Sequence, residues 1–190
     1  MDVLTILLFL AILIFVINVI PVFMPPTWII LAFFYINFHP PFLLTILIGA
    51  AAATIGRIAL YFISKNYFRG FFSKYTLKNY GALGRFIGKN EKLSIPIFVI
   101  YAFFPISSNY VYIAAGLAEI NIKILASSFF VGRLISYSFW VAASHAVNNR
   151  LEDIFANHIG NASVIFFEIT GLIIIYLIGK INWAKILKLE

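Results

Sequence analysis

Two arginines are the residues whose type and spacing could do chemistry in this chain. Arg57 and Arg133 each lie within a long apolar stretch, and both belong to the pattern G-R-x-x-x-Y, which ends at Tyr61 and Tyr137 respectively. A guanidinium donates hydrogen bonds in a fixed fork that suits phosphate. The repeated pattern therefore points to recognition of an anion.

A second polar group interrupts the apolar segment from residue 101 to residue 117. It consists of Pro105, Ser107, Ser108 and Asn109. The proline has no N–H and disfavours helix in the residue before it, and the short polar side chains compete for backbone groups. No histidine or acid lies beside the serines, so a nucleophilic enzyme site is not expected. The histidines lack metal spacing, and no motif for a cofactor or nucleotide is present.

The composition indicates an integral membrane protein. Of the 190 residues, 63% are hydrophobic and 11% are charged, and the mean hydropathy is +1.00. A soluble domain is about 45–50% apolar and about 25% charged. The net charge of +7 comes mainly from clusters at 65–92 and 180–188. Basic clusters beside apolar spans follow the positive-inside rule, so we do not expect nucleic-acid binding.

The apolar segments predict a single all-α membrane domain over residues 1–190. It would have about four full transmembrane helices, interfacial amphipathic helices at 65–92 interrupted near Gly81, and two re-entrant hairpins. Hairpin 1 is expected at about 21–41 with its break near Pro25, Pro26 and Thr27, and hairpin 2 at about 93–118. Broken backbone at membrane depth is tolerated only where protein buries it or where it lines a wet cavity. With the basic clusters inside, both termini are predicted to be cytoplasmic in a multi-pass protein of the cell membrane.

The two G-R-x-x-x-Y segments predict an inverted repeat. Each follows a proline-broken segment, and the predicted topology directs the two halves oppositely, which is a transporter signature. The arginines would lie at similar depth, where each costs about 2.5–3.5 kcal/mol on an insertion scale. Two interpretations follow. The arginines are neutralised internally by Glu168, Glu119 or hairpin carbonyls, or they form a positive recess for an anionic headgroup.

The order of these parts resembles the DedA family, also called the VTT or SNARE-associated Golgi protein family. The resemblance covers about 21–140 and rests on GAAAATIGRIALY, on FFPISSNYVYIAAGL and on the later F-x-x-G-R. It implies two facing re-entrant hairpins and movement of lipids, either polyprenyl phosphate or phospholipid. Many bacterial members carry acids near the positions of Thr27 and Arg57, and an arginine shortly before the proline of the second hairpin. This chain lacks those residues and is more similar to the passive scramblases.

Translocation of a polar lipid is therefore the expected function. Its partners would be membrane lipids with anionic phosphate headgroups, and Ser107, Ser108 and Asn109 would line the recess. A secondary transporter of a small solute and a non-transporting membrane assembly protein are the alternatives. The sequence leaves open whether the protein forms a homo-oligomer.

Overall fold

The fold is helical throughout the residues that the structure describes. The computed structural model describes residues 2–21, 25–103, 108–144, 169–170, 173 and 175–186, and no strand occurs among them. The helices are α1 (Val3–Val19), α2 (Thr27–Phe38), α3 (Phe42–Asn66), a 3-10 turn (Phe68–Phe71), α4 (Lys74–Lys89), α5 (Glu91–Phe103), α6 (Asn109–Ala118), α7 (Ile122–Ser144), a helical stretch at 175–180 and α8 (Trp183–Ile186). The all-α prediction agrees with this architecture.

Two of these helices, α3 and α7, are long and apolar enough to cross a membrane. They have 25 and 23 residues, so they extend over about 37 and 34 Å at 1.5 Å per residue. Pro41 precedes the first turn of α3, where a missing N–H costs nothing. The remaining described apolar helices have at most 17 residues.

Helices α1 and α2 form an antiparallel helical hairpin. Asn18 at the end of α1 donates from Nδ2 to the Thr27 hydroxyl oxygen over 3.1 Å, and the rings of Phe9 and Phe34 stack with centroids 5.9 Å apart. Helix α1 ends before Pro21, where a ring without an N–H cannot continue it. The chain therefore reverses its direction between α1 and α2.

The first hairpin thus differs from the predicted one. Helix α1 is its first arm rather than a separate span before a hairpin at 21–41. Helix α2 also runs antiparallel to α3, because Tyr35 packs on Phe42 and Leu31 lies against Gly49. Helix α1 is consequently parallel to α3. Asp2 therefore lies at the N-terminal end of α3, near Phe42.

Helices α5 and α6, called the second hairpin below, occupy the residues for which that hairpin is predicted; its re-entrant character stays a prediction. Helix α5 follows α4 directly, and Gly84 of α4 lies against Ala118 at the end of α6. The start of α5 and the end of α6 therefore lie at the same end of the bundle, beside α4. The rings of Tyr112 and Phe129 are 5.4 Å apart, so α7 runs back antiparallel to α6 after the turn at 119–121.

The two hairpins point in opposite directions. Helix α6 begins beside Pro21 and ends beside Arg69, which pairs with Glu119 just beyond the C-terminal end of α3. It therefore follows the direction of α3, and α7 runs against it. Helices α2 and α6 both end in a left-handed residue, His39 with φ 49° and Glu119 with φ 54°. The predicted inversion of the halves agrees with these contacts.

Most of the basic segment forms one continuous helix, α4, which is preceded by a turn. Helix α4 passes through Gly81 without a break, so the predicted interruption there is wrong; the chain turns instead at 67–73, and Ser73 caps α4 by accepting from the backbone N–H of Thr76. A single glycine inside a helix costs only about 1 kcal/mol, which the surrounding helix tolerates.

The segment 175–186 docks on α4. Asn79 donates to the carbonyl of Gly179 over 2.9 Å, and Tyr80 donates to that of Ile175. This segment and Asp2 thus lie at opposite ends of α3. The break at Pro21 turns α2 back along α1. That both termini are cytoplasmic stays a prediction.

Candidate functional site

The ends of the two hairpins meet at mid-length of the long helices. Asn109, the first residue of α6, donates from Nδ2 to the carbonyl of Pro21 over 2.6 Å. Pro21 belongs to the tip of the first hairpin and Asn109 to that of the second. The amide oxygen of Asn109 and the hydroxyl of Ser108 are buried without a hydrogen-bond partner in the part of the chain that the structure describes.

Each long helix approaches its hairpin through a glycine. A Cβ added to Gly56 would lie 2.7 Å from the carbonyl oxygen of Phe15 and 2.7 Å from the Cβ of Asn18. A Cβ added to Gly132 would lie 2.7 Å from the carbonyl oxygen of Val99 and 2.6 Å from the Cβ of Ala102. The same two-contact geometry recurs in both halves. Each glycine therefore brings the arginine that follows it to the level of a hairpin tip.

Arg57 is anchored to the first hairpin by one of its N–H groups. Its side chain is 6% exposed, and Nη1 donates to the carbonyl of Asn18 over 3.0 Å. The last carbonyls of a helix have no intrahelical partner and carry partial negative charge. This contact matches the expectation of neutralisation by hairpin carbonyls. The Nε of Arg57 remains buried without a partner among the described residues.

Arg133 lies between aromatic rings, and no carboxylate among the described residues pairs with it. Its side chain is 8% exposed, and Cζ is 5.0 Å from the ring centre of Phe129 and 5.5 Å from that of Tyr137. A cation over an aromatic face gains about 0.5–2 kcal/mol, less than a buried charge loses on leaving water. Arg133 and Arg57 also interact with each other electrostatically.

The two guanidinium groups share one positively charged centre. Both interact electrostatically with the phenols of Tyr101 and Tyr112. Glu119, one predicted counterion, pairs with Arg69 instead. Glu168, the other predicted counterion, lies outside the described residues. Two like charges that interact in a medium of low dielectric favour an anion near both of them.

Buried polar atoms without partners are concentrated around this centre and along α7. Nine side-chain atoms within the described ranges are of this kind. They belong to Trp28, Arg57, Ser108, Asn109, Ser128, Arg133, Ser136, Tyr137 and Trp140. A buried donor or acceptor left unpaired costs about 1–3 kcal/mol. Their concentration in one region makes it the candidate site.

The predicted site residues separate into three groups. Arg57, Arg133, Asn109, Ser108 and Tyr137 belong to the arginine centre or lie next to it. Pro105, Ser107 and Glu168 lie outside the described residues. The third group has structural contacts: Tyr61 donates to the carbonyl of Ile120 over 3.0 Å, Thr27 accepts from Asn18, and Pro25 and Pro26 precede α2.

Sequence reasoning missed three residues of the site. Asn18 holds the first tip through contacts with Thr27 and the Ile14 carbonyl. It is the lone amide in an apolar helix, which is a usable signal. The indole rings of Trp28 and Trp140 stack with centroids 5.2 Å apart. Nothing in their spacing connects them, because they belong to opposite halves.

The centre can bind and neutralise an anion, but it holds no acid–base pair among the described residues. No group of three or more metal-ligating side chains occurs within those ranges either. Comparison with protein-family models, curated proteins and solved structures finds no match to this chain. The geometry of the centre is therefore the main indication of what the protein does.

Proposed function

We propose that this protein moves polar lipids across a membrane through the meeting point of its two hairpins. The exterior of the bundle supports a membrane location. Large apolar side chains cover it along several helices, among them Leu4 (67% exposed), Ile12 (62%), Leu43 (67%) and Ile135 (51%). Helices that are apolar all round belong in a core or in a membrane.

In this proposal α3 and α7 span the bilayer, and each hairpin enters it from one side and returns. The tips reach only mid-length of the spanning helices, as re-entrant segments do. Lys65, Lys74 and Lys78 lie at one end of the bundle, which the positive-inside rule assigns to the cytoplasm. The first hairpin then enters from the other side, together with the N-terminal end of α1.

The single observation that carries the proposal is the contact of the tips beside two buried arginines. The Asn109–Pro21 hydrogen bond joins oppositely directed hairpins at the level of Arg57 and Arg133. Inverted repeats whose broken helices meet near the midplane are characteristic of transporters. The resemblance to the DedA family implies the same arrangement and the same class of cargo.

The mechanism follows from the cost of moving a headgroup. A charged group in hydrocarbon is costly, and buried donors that already await a partner offset that cost. Arg57 and Arg133 would accept the phosphate at mid-depth while the acyl chains stay in the surrounding lipid. The described residues offer no coupling acid at the centre, and so the proposal is passive exchange in both directions.

The test is a dithionite-quenching assay on fluorescent phospholipids in liposomes that contain purified protein. Without exchange, dithionite quenches only the fluorescent lipid in the outer leaflet, about half of the total. Wild-type protein should raise the quenched fraction above that half. Arg133→Gln should slow the exchange about tenfold or more, since a charge-assisted hydrogen bond contributes about 1.5–3 kcal/mol. Arg85→Gln is the matched control, because Arg85 is exposed on α4. Absence of exchange for every lipid tested would refute the proposal.

One contact favours a second candidate, a non-transporting membrane assembly protein. The hydrogen bond from Arg57 to the Asn18 carbonyl gives this arginine a structural role. If that is its whole role, Arg57→Lys should lower the unfolding temperature with no effect on exchange by the folded fraction. Arg133 has no such backbone contact among the described residues. The effect of Arg133→Gln on lipid exchange therefore distinguishes the two candidate functions.

A further inference from the structure

A pair of tryptophans beside the arginine centre is unexplained by phosphate binding. The chain has three tryptophans. The indole N–H of Trp183 donates to the carbonyl of Ile178 over 2.9 Å. Trp28 and Trp140 stack on each other across α2 and α7, and both of their indole N–H groups are buried without a hydrogen-bond partner among the described residues.

These indoles continue a line of unpaired polar atoms along one face of α7. Arg133, Ser136, Tyr137 and Trp140 are spaced by three or four residues, so they occupy one stripe over about 10.5 Å of helix. Ser136 is 0% exposed and Tyr137 is 1% exposed, and the hydroxyl of each lacks a partner in the described chain. The stripe faces α2 through Trp140.

The equivalent stripe on α3 shows that unpaired donors are not a general property of the fold. The repeat pairs Tyr137 with Tyr61 and Trp140 with Ser64. Tyr61 donates to the carbonyl of Ile120, and Ser64 donates to that of Ile113 over 2.8 Å. On α3 the backbone around α6 thus accepts from Tyr61 and Ser64, whereas the equivalent donors of Tyr137 and Trp140 on α7 have no partner among the described residues.

We propose that Trp28 and Trp140 form a subsite for the ester carbonyls of a diacyl glycerophospholipid, which rests on the proposed function and names its cargo. Indole N–H is a donor only, so the pair fits neutral acceptor oxygens. In such a lipid the ester carbonyls lie a few bonds from the phosphate. With phosphate at Arg133, the glycerol esters lie along the stripe past Ser136 and Tyr137. A polyprenyl phosphate has no ester carbonyl, and so the subsite selects against it.

The first experiment compares a diester lipid with its diether analogue in the dithionite assay. Both carry the same fluorescent phosphoethanolamine headgroup, and only the diester has carbonyls. Wild type should exchange the diester about fivefold faster or more, the factor expected for one net hydrogen bond. The double variant Trp28→Phe, Trp140→Phe keeps the stacked rings and removes both N–H groups. It should exchange the two lipids at one rate. Trp183→Phe is the control and should keep the preference.

The second experiment measures binding without transport. Dihexanoyl phosphatidylglycerol should raise the unfolding temperature of the detergent-solubilised protein more than its dihexyl ether analogue, and the double variant should lose this difference. Equal exchange rates or equal shifts in wild type would overturn the carbonyl subsite. A preference that persists in the double variant would overturn the assignment to these tryptophans. No exchange of any lipid, together with selective binding of the diester, would refute the transport proposal and leave the subsite standing.

Discussion

Replacing Gly132 by alanine should push α5 away from α7 and destabilise the protein. The new Cβ would lie 2.7 Å from the carbonyl oxygen of Val99 and 2.6 Å from the Cβ of Ala102. The oxygen belongs to the backbone of a helix, so no rotation of a side chain relieves the contact. An ordinary contact needs at least 3.4 Å, and since the nearer atom is only 2.6 Å away the helices must separate by about 0.8 Å.

The magnitude follows from two opposing effects. Overpacking of a close contact costs about 1–3 kcal/mol. Alanine in a helix interior gains about 0.5–1 kcal/mol over glycine. A net loss of about 1–2 kcal/mol lowers the unfolding temperature by roughly 2–8 °C for a chain of this size.

Thermal unfolding in detergent provides the assay, and two variants provide the comparison. Gly56→Ala meets the same pair of contacts at Phe15 and Asn18, so it should lose a similar amount. Gly88 lies in α4, and an added Cβ would meet nothing within 4 Å. Gly88→Ala should therefore be neutral or stabilising by about 0.5–1 kcal/mol.

Equal unfolding temperatures for Gly132→Ala and Gly88→Ala would refute this reasoning, because the close approach of α5 and α7 would then not exist. Destabilisation of only one of Gly56→Ala and Gly132→Ala would refute part of it. That result would show that the two halves do not share the contact that defines the repeat.

Four further predictions concern the tips, a turn and the docked segment. The chain has no cysteine, so Pro21→Cys with Asn109→Cys should be cross-linked by a short bismaleimide, and an uncross-linked pair would contradict the contact of the tips. His39 has φ 49°, and His39→Gly should raise the free energy of unfolding by about 1 kcal/mol in denaturant titration. Asn79→Ala should expose the segment after residue 180 to trypsin, since it loses the bond to the Gly179 carbonyl. Burial raises the pKa of Tyr80, so the same docking should weaken as pH rises above about 10, and Tyr80→Phe should remove this dependence in the trypsin assay.

The inverted relation of the halves is readable from the sequence. The pattern G-R-x-x-x-Y identifies equivalent positions, and counting residues from the basic clusters places Arg57 and Arg133 at one depth. In the structure the two arginines interact electrostatically with each other. The count rests on the constant rise of a helix, by which depth along a helix follows from residue number. The depth of the two arginines in a membrane stays a prediction. The second hairpin is located for a similar reason, since a polar break inside an apolar run usually marks a turn of the chain.

The direction of α1 relative to α2 and α3 cannot be predicted from the sequence. Pro21 shows that α1 ends, but a proline does not say whether the chain continues outward or folds back on the preceding helix. That choice depends on contacts between distant residues, here Phe9 with Phe34 and Asn18 with Thr27. The tryptophan pair is beyond sequence reasoning for the same reason.

Tyr61 on α3 has a hydrogen-bond partner and Tyr137 on α7 has none among the described residues, and this difference follows from the lengths of the two helices. Gly56 lies 14 residues after the start of α3, whereas Gly132 lies ten residues after the start of α7. The first half is thus one helical turn longer, about 6 Å. Ile120, two residues before α7, is close enough to accept from Tyr61. The counterpart of Ile120 is Pro40, which lies two residues before α3. Pro40 is one helical turn farther from the level of the arginines than Ile120 is. Its carbonyl is therefore too far away to accept from Tyr137 as the carbonyl of Ile120 accepts from Tyr61. Removing four residues from the first turns of α3 should bring Pro40 within reach of Tyr137 and close the α7 stripe. Lipid exchange should then fall although both arginines and both tryptophans remain, and unchanged exchange would show that the unpaired donors of α7 are not part of the path.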